Sequence, residues 1–223
     1  MNQQEIFDLR SYPIELVLTQ LFKDKTTKKN IIFATDAYEV YGAEFSKTSE
    51  ITKAKLLGID SMELQPRVFK SQAAQQARTR KNAEVFTPSW ICNKMNNHCD
   101  AEWFGRENVF NTEDGHSWKV KGGRIGFSKE KTWQDYVDSR RIEITCGEAP
   151  FLVTRYDVET GEAIPIEDRI GLLDRKLRMV SENTDNIEEW KAWALRAVQA
   201  TYGFELQGDN LLIARVNILF SVE

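Results

Sequence analysis

The chain of 223 residues is poor in the side chains from which many catalytic and metal sites are built, with three cysteines, two histidines and five prolines. Cys92, Cys99 and Cys146 are odd in number and lack the spacing of a disulfide framework, which excludes a small stapled extracellular scaffold. Cys92 and Cys99 lie seven apart on one helical face, and a zinc site with His98 and His116 would recruit a fourth ligand arbitrarily. The expectation is therefore no metal, and core thiols. Apolar runs of membrane length are missing, as is a signal-like leader, so the expected location is the cytoplasm. A positive balance is missing too: the net charge is −4, and contact with nucleic acid would require a local basic face.

Two enzyme classes fail on the same ground. A metal-dependent nuclease needs acids and a lysine converging at strand ends. Here Glu189-Trp190-Lys191 falls in a helical pattern, where Glu189 and Lys191 diverge by about 200°. A cysteine hydrolase would need a histidine tied to Cys146, and neither histidine has such a spacing.

With 41% hydrophobic residues the chain can bury the core of an α/β domain. The periodicity predicts an amphipathic helix over 14–23 and, after the polar turn 24–30, a buried strand Ile31-Ile32-Phe33-Ala34-Thr35. From Leu64 to Ala83 no acid occurs, while Arg67, Lys70, Arg78, Arg80 and Lys81 do. That stretch suits a DNA phosphate backbone or, equally, a solvated helix. Val85-Phe86-Thr87-Pro88-Ser89 ends an extended segment and opens a helix with Ile91, Met95 and Cys99 on one stripe. Alternating pieces around Gly122-Gly123 predict a hairpin, and 132–137 a short helix. Arg141-Ile142-Glu143-Ile144 reads as the central strand, running into the turn Thr145-Cys146-Gly147-Glu148-Ala149-Pro150, whose small residues let the backbone approach a ligand. Helices are expected over 166–180 and 187–200, a strand over 202–206, then the turn Gly208-Asp209-Asn210 and a helix over 211–219.

Glu143 to Leu152 resembles the first motif of class I S-adenosylmethionine-dependent methyltransferases, in particular the DNA amino-adenine methylases: acid, two residues, Cys, a small residue, any, a small residue, any, Phe, Leu. Ala149 stands where those enzymes usually carry a second glycine, and its methyl is expected where backbone and cofactor meet. More widely, from about Lys25 onward, the chain is similar to short bacterial proteins labelled restriction endonuclease subunit M. The resemblance implies S-adenosylmethionine as cofactor, with Phe86, Thr87 and Pro88 at its methionine end. Glu143, Cys146, Gly147 and Phe151 would form the turn beside it, and Glu205 would take the ribose hydroxyls. Glu205 follows Glu143 by 62 residues, where a minimal strand-helix-strand passage needs about 20.

The same methylases hold the target nitrogen with Asn or Asp followed by Pro-Pro and an aromatic residue. Pro13, Pro66, Pro88, Pro150 and Pro165 are never adjacent, so the catalytic residues are unknown. The expectations are a partial Rossmann-like methyltransferase sheet in an α/β fold, with an N-terminal extension over 1–83 and an incomplete cofactor-binding domain over 84–223. The expected function is that of an adenine-specific DNA methyltransferase-like subunit of a restriction-modification system, truncated or dependent on a partner. The competing reading is a non-catalytic DNA-binding or protein-interaction module with a vestigial pocket. A homodimer or partner subunit covering an open sheet edge is expected in either case.

Overall fold

One long helix joins the two halves of the molecule. The computed structural model describes residues 7–222 as a mixed helix-and-sheet chain with eight α-helices and two small sheets. Helix α1 (Ile14–Leu21), the short α2 (Lys53–Leu57) and the loops between them form an N-terminal layer. It is followed by α3 (Gln72–Asn82) and α4 (Ser89–Phe104), a hairpin of β1 (Asn111–Asp114) and β2 (Ser117–Val120), and α5 (Trp133–Asp138). Strand β3 (Arg141–Ile144) then leads through a long loop to α6 (Leu172–Asn183) and α7 (Ile187–Gln199), which return the chain to β4 (Thr201–Phe204) and α8 (Gly208–Val222).

The N-terminal layer buries Phe7, Ile14, Leu18, Phe22, Phe33 and Ile51 against Leu212, Ile213 and Val216 of α8. A second core gathers Tyr136, Val137, Leu152, Leu173, Met179, Ala194 and Ala197, and Ala214 of α8 enters it. Because α8 contributes to both cores, residues 7–83 are a layer built on the C-terminal helix. Strands β3 and β4 run parallel, with Ile142 opposite Tyr202 and Ile144 opposite Phe204. The two-helix passage between them explains the long interval from Glu143 to Glu205.

Several elements depart from the expected pattern. Residues Ile31 to Thr35 make one isolated bridge, Ile32 to Glu50, in place of a strand, with Ala34 left-handed (φ 52°), although Ile31 and Phe33 are buried as expected. The hairpin turns at Gly115 and His116, ahead of Gly122-Gly123, and His116 stacks on Trp90 with ring centroids 4.2 Å apart. Helix α6 begins at Leu172, six residues later than the apolar spacing from Ile166 suggests, since Ile166–Asp168 is a single 3-10 turn.

Helix α4 is turned the other way from its apparent stripe. Met95 and Cys99 are exposed, which corrects the reading of Cys99 as a core thiol, while Cys92, Asn93, Asn96 and Asp100 are buried. The cause is Arg175 of α6, buried to 1% exposure, whose guanidinium donates to Asp100 Oδ2 (2.6 Å), Asn93 Oδ1 (2.8 Å) and Asn97 Oδ1 (2.9 Å). Tyr136 donates its hydroxyl to the same aspartate at 2.8 Å. A buried arginine must be matched by acceptors, and α4 presents its polar face to supply them.

Lys176, next along α6, is fully buried, and its ammonium donates to the carbonyls of Ser139 (2.5 Å) and Ala200 (3.1 Å), just ahead of β3 and β4. Burial, aided by the nearby Arg141 charge, brings this lysine down to about 7. The unfolded chain keeps the proton up to 10.5 and the folded chain only to about 7, so stability rises with pH across that window. Wild type should gain roughly 3 kcal/mol between about pH 7 and pH 9.5, and Lys176→Met should lack that gain. Urea unfolding at both pH values tests this, and parallel slopes in the two proteins would show that Lys176 keeps its proton.

Candidate functional site

The parallel pair ends in a turn whose backbone is bent by alternate left-handed residues: Thr145 (φ 58°), Gly147 (φ 54°) and Ala149 (φ 68°). Cys146 N–H continues the ladder to Phe204 O at 2.8 Å, so the turn starts directly from the sheet. Gly147 has no room for a side chain, because a Cβ there would lie 2.7 Å from Phe86 Cε1. The close contact draws the 82–87 segment over the turn and leaves a cleft of about 500 Å³ between them.

Phe86, Thr87, Glu143, Cys146, Gly147, Phe151 and Glu205 all line this cleft. Pro88 does not; it sits at the start of α4, where its fixed φ suits a helix beginning. Ala149 does not line it either. Its methyl is fully buried and packs with Leu152 and Leu173 in the second core, which corrects the expectation of bulk at the cofactor.

The two acids differ in their surroundings. Glu205 is held by backbone donors, accepting from Gly147 N–H at Oε2 and from Gln207 N–H at Oε1, both 2.8 Å. Glu143 is half-buried at the edge of the cleft, and its Oε2 is out of reach of solvent with no hydrogen-bond partner. Burial first, and then repulsion from Glu205, push Glu143 up to about 8, so it is largely a neutral acid near pH 7. Burial and the same two carboxyls push the Cys146 thiol up to about 12, which leaves it unreactive as a nucleophile.

The basic stretch is mostly internal. Arg78, 5% exposed, donates from Nε to Glu84 Oε2 (2.7 Å) and pairs with Asp209 Oδ2 at 2.9 Å. It also donates to Gln207 Oε1 at 3.0 Å. Arg67 pairs with Glu84 Oε1 at 3.0 Å and Lys70 with Asp209 at 3.4 Å. Burial alone would push both acids up; Arg78 acting on Glu84, and Lys70 and Arg78 acting on Asp209, outweigh it and hold each below the usual carboxylate range. Arg67, Lys70 and Arg78 are thus engaged inside the protein, which corrects their reading as phosphate contacts. Arg80 and Lys81 are exposed, and Lys81 pairs with Asp36.

Sequence reasoning missed Asn82, Glu84, Gln207 and Asn210, which also line the cleft. For Glu84 a signal existed. It is the first acid after a long acid-free basic run, and a buried arginine needs one.

Among the described residues no group of three or more His, Cys, Asp or Glu is placed to hold a metal ion, and no helix is long and apolar enough to cross a membrane. Arg78→Met should cost about 3 kcal/mol in urea unfolding, because Glu84 and Asp209 lose the cation they share and keep only Arg67 and Lys70 respectively. Arg80→Met, on the surface, should stay within about 0.5 kcal/mol of wild type. A small loss for Arg78→Met would mean that water reaches those carboxyls.

No protein-family model, curated protein or solved structure matches this chain.

Proposed function

We propose that the cleft is a site for S-adenosylmethionine, and that the chain is an adenine-specific DNA methyltransferase-like subunit of a restriction-modification system, built on part of a Rossmann-like sheet. One observation carries the reading. Seven residues drawn from three distant segments, chosen by a motif resemblance, line a single cleft, and one of them, Glu143, presents a buried oxygen with no partner.

The chemistry of the walls suits such a ligand. A volume of about 500 Å³ falls in the range of small-molecule and cofactor sites. Phe86 and Phe151 offer apolar surface, and Glu205 keeps a free lone pair on each oxygen for vicinal ribose hydroxyls. Glu143 suits the cationic amino group of the ligand's methionine end, which would draw it into the carboxylate form. When bound, S-adenosylmethionine supplies a methyl group on a cationic sulfur. The part of this chain is to bind and orient it. No Asn/Asp-Pro-Pro-aromatic segment occurs in the sequence, so holding adenine's amino nitrogen falls to a partner. On the surface of the basic stretch, Arg80 and Lys81 are the candidates for phosphate contact.

Titration calorimetry with S-adenosylmethionine tests the reading. Wild type should bind, and Glu205→Ala should weaken binding at least about tenfold, the equivalent of one lost charged hydrogen bond. Because Glu143 holds its proton up to about 8, binding of a cation near pH 7 should release close to one proton, seen as heat that changes with the ionisation enthalpy of the buffer. Glu143→Gln should lose that buffer dependence. Absence of binding heat, or equal affinity in Glu205→Ala, removes the cofactor assignment.

Glu143 also marks stability. Its folded-state value is raised from the ordinary 4.5 to about 8, so the stabilisation it gives is complete below 4.5 and is lost as pH climbs to 8. Over that interval wild type should lose about 2 kcal/mol relative to Glu143→Gln in chemical unfolding, less than the full shift implies because solvent reaches the cleft. Matching pH profiles would show that the acid ionises freely in the folded protein.

A further inference from the structure

A second pocket, of about 490 Å³, lies between the hairpin, α6 and the end of α8, and it shares no lining residue with the cleft. Its body is apolar. Phe110 enters from the residue before β1, Leu177 from α6, Trp190 from α7 and Val222 from the last turn of α8. A space of this size falls in the range of small-molecule sites, which combine apolar walls with a few convergent polar groups.

The polar groups left unmatched on these walls are chiefly donors. Arg175 uses its two terminal nitrogens on Asp100, Asn93 and Asn97 of α4, but its Nε, out of reach of solvent, has no partner. Arg169 donates from Nε to Ile164 O at 3.4 Å, and Lys121 is exposed. Among the described residues neither has an acid within ion-pair distance, whereas Arg178 is paired with Glu182. Two acids share the walls. Asp174 accepts from the N–H groups of Thr154 (2.7 Å) and Gly171 (3.1 Å), and Glu167 is exposed. Lys121, Arg169, Arg175 and Arg178 thus outnumber Glu167 and Asp174, so the lining favours an anion.

We infer that this pocket is a binding site for a small monocarboxylate with an apolar, aromatic body. Phe110, Leu177, Trp190 and Val222 take the body, and aromatic rings on two sides suit a flat one. The carboxylate accepts from Arg175 Nε and from the guanidinium of Arg169. Both arginines act on the Asp174 carboxyl, so their charges converge on one region of the wall. A buried N–H without an acceptor is costly, and a ligand oxygen at Arg175 Nε removes that cost. The unmatched donors are few and most of the lining is apolar, which fits one carboxylate better than a multiply charged phosphate.

Titration calorimetry with naphthylacetate tests the site, with naphthylethanol as a probe of the same shape that lacks the charge. Because no wall is shared with the cleft, the outcome is independent of whether S-adenosylmethionine binds there. Wild type should bind naphthylacetate in the submillimolar range and naphthylethanol at least about tenfold more weakly, the equivalent of one charge-assisted hydrogen bond. Arg169→Met should abolish that preference by weakening the carboxylate alone, and Arg80→Met, outside the pocket, should bind both probes like wild type. Val222→Trp, which fills the pocket, should remove binding of both with unchanged circular dichroism. Absence of naphthylacetate binding, equal affinity for the two probes, or a preference that Arg169→Met leaves intact overturns the proposal. Binding that survives Val222→Trp puts the probe on other apolar surface and overturns it as well. Should either pocket variant fail to fold, Lys121→Glu at an exposed position decides: it should weaken naphthylacetate several-fold and spare naphthylethanol, and unchanged affinity for both rejects the site.

Discussion

A single buried guanidinium holds the cleft in shape. Arg78 pairs with Glu84 on the segment that forms one wall, and with Asp209, Gln207 and Asn210 where α8 begins. Tyr38 of the N-terminal layer donates its hydroxyl to Asp209 at 2.7 Å. Charges this deep persist only when each is matched, since an isolated one would give up its proton or draw in water. The match is directional as well as electrostatic, because the planar fork of an arginine fixes where each acceptor must stand. Glu84, Gln207 and Asn210 all line the cleft, so Arg78 determines the spacing of its walls from behind without facing the cavity itself.

A second arginine repeats the arrangement in the other half. Arg175 orders α4 through Asp100, Asn93 and Asn97, and Asn93 in turn exchanges hydrogen bonds with Asn111 at the start of the hairpin. The two networks explain how a chain that is only two-fifths hydrophobic packs two cores. The cores around α1 and α6 are apolar, but the helices that join them are oriented by polar contacts.

That division decides what could be read from sequence. The strand and turn over Arg141 to Pro150 were legible because their signals are local: a short apolar run, then small residues where the backbone must bend. Helix α5 was legible for the same reason, as Thr132 and Asp135 form a capping box within four residues. What failed depended on distant partners. Arg67, Lys70 and Arg78 resembled a solvated basic face because their acids, Glu84 and Asp209, lie beyond the run or at the far end of the chain. Helix α4 buries the side that apolar spacing does not mark, because an arginine on another helix claims its polar face. Gly122-Gly123 is a strong turn signal, yet the hairpin closed at Gly115, within reach of the Trp90 ring.

Ala149 shows how magnitudes decide between two local readings. An alanine in the left-handed region costs about 1 kcal/mol relative to a glycine, and from the motif alone that looks like a defect in a ligand-binding turn. In the folded chain the methyl is wholly buried in the second core, where removing one methyl-sized group from water contributes about 0.8 kcal/mol. The two effects nearly cancel, so the substitution neither strains the fold appreciably nor narrows the cleft. Gly147 has no such choice. Its φ is left-handed and the Phe86 ring occupies the space a side chain would need, so the position that must stay bare is the one facing the 82–87 segment. The turn therefore tolerates a methyl where it meets the core and excludes one where it meets the wall of the cleft.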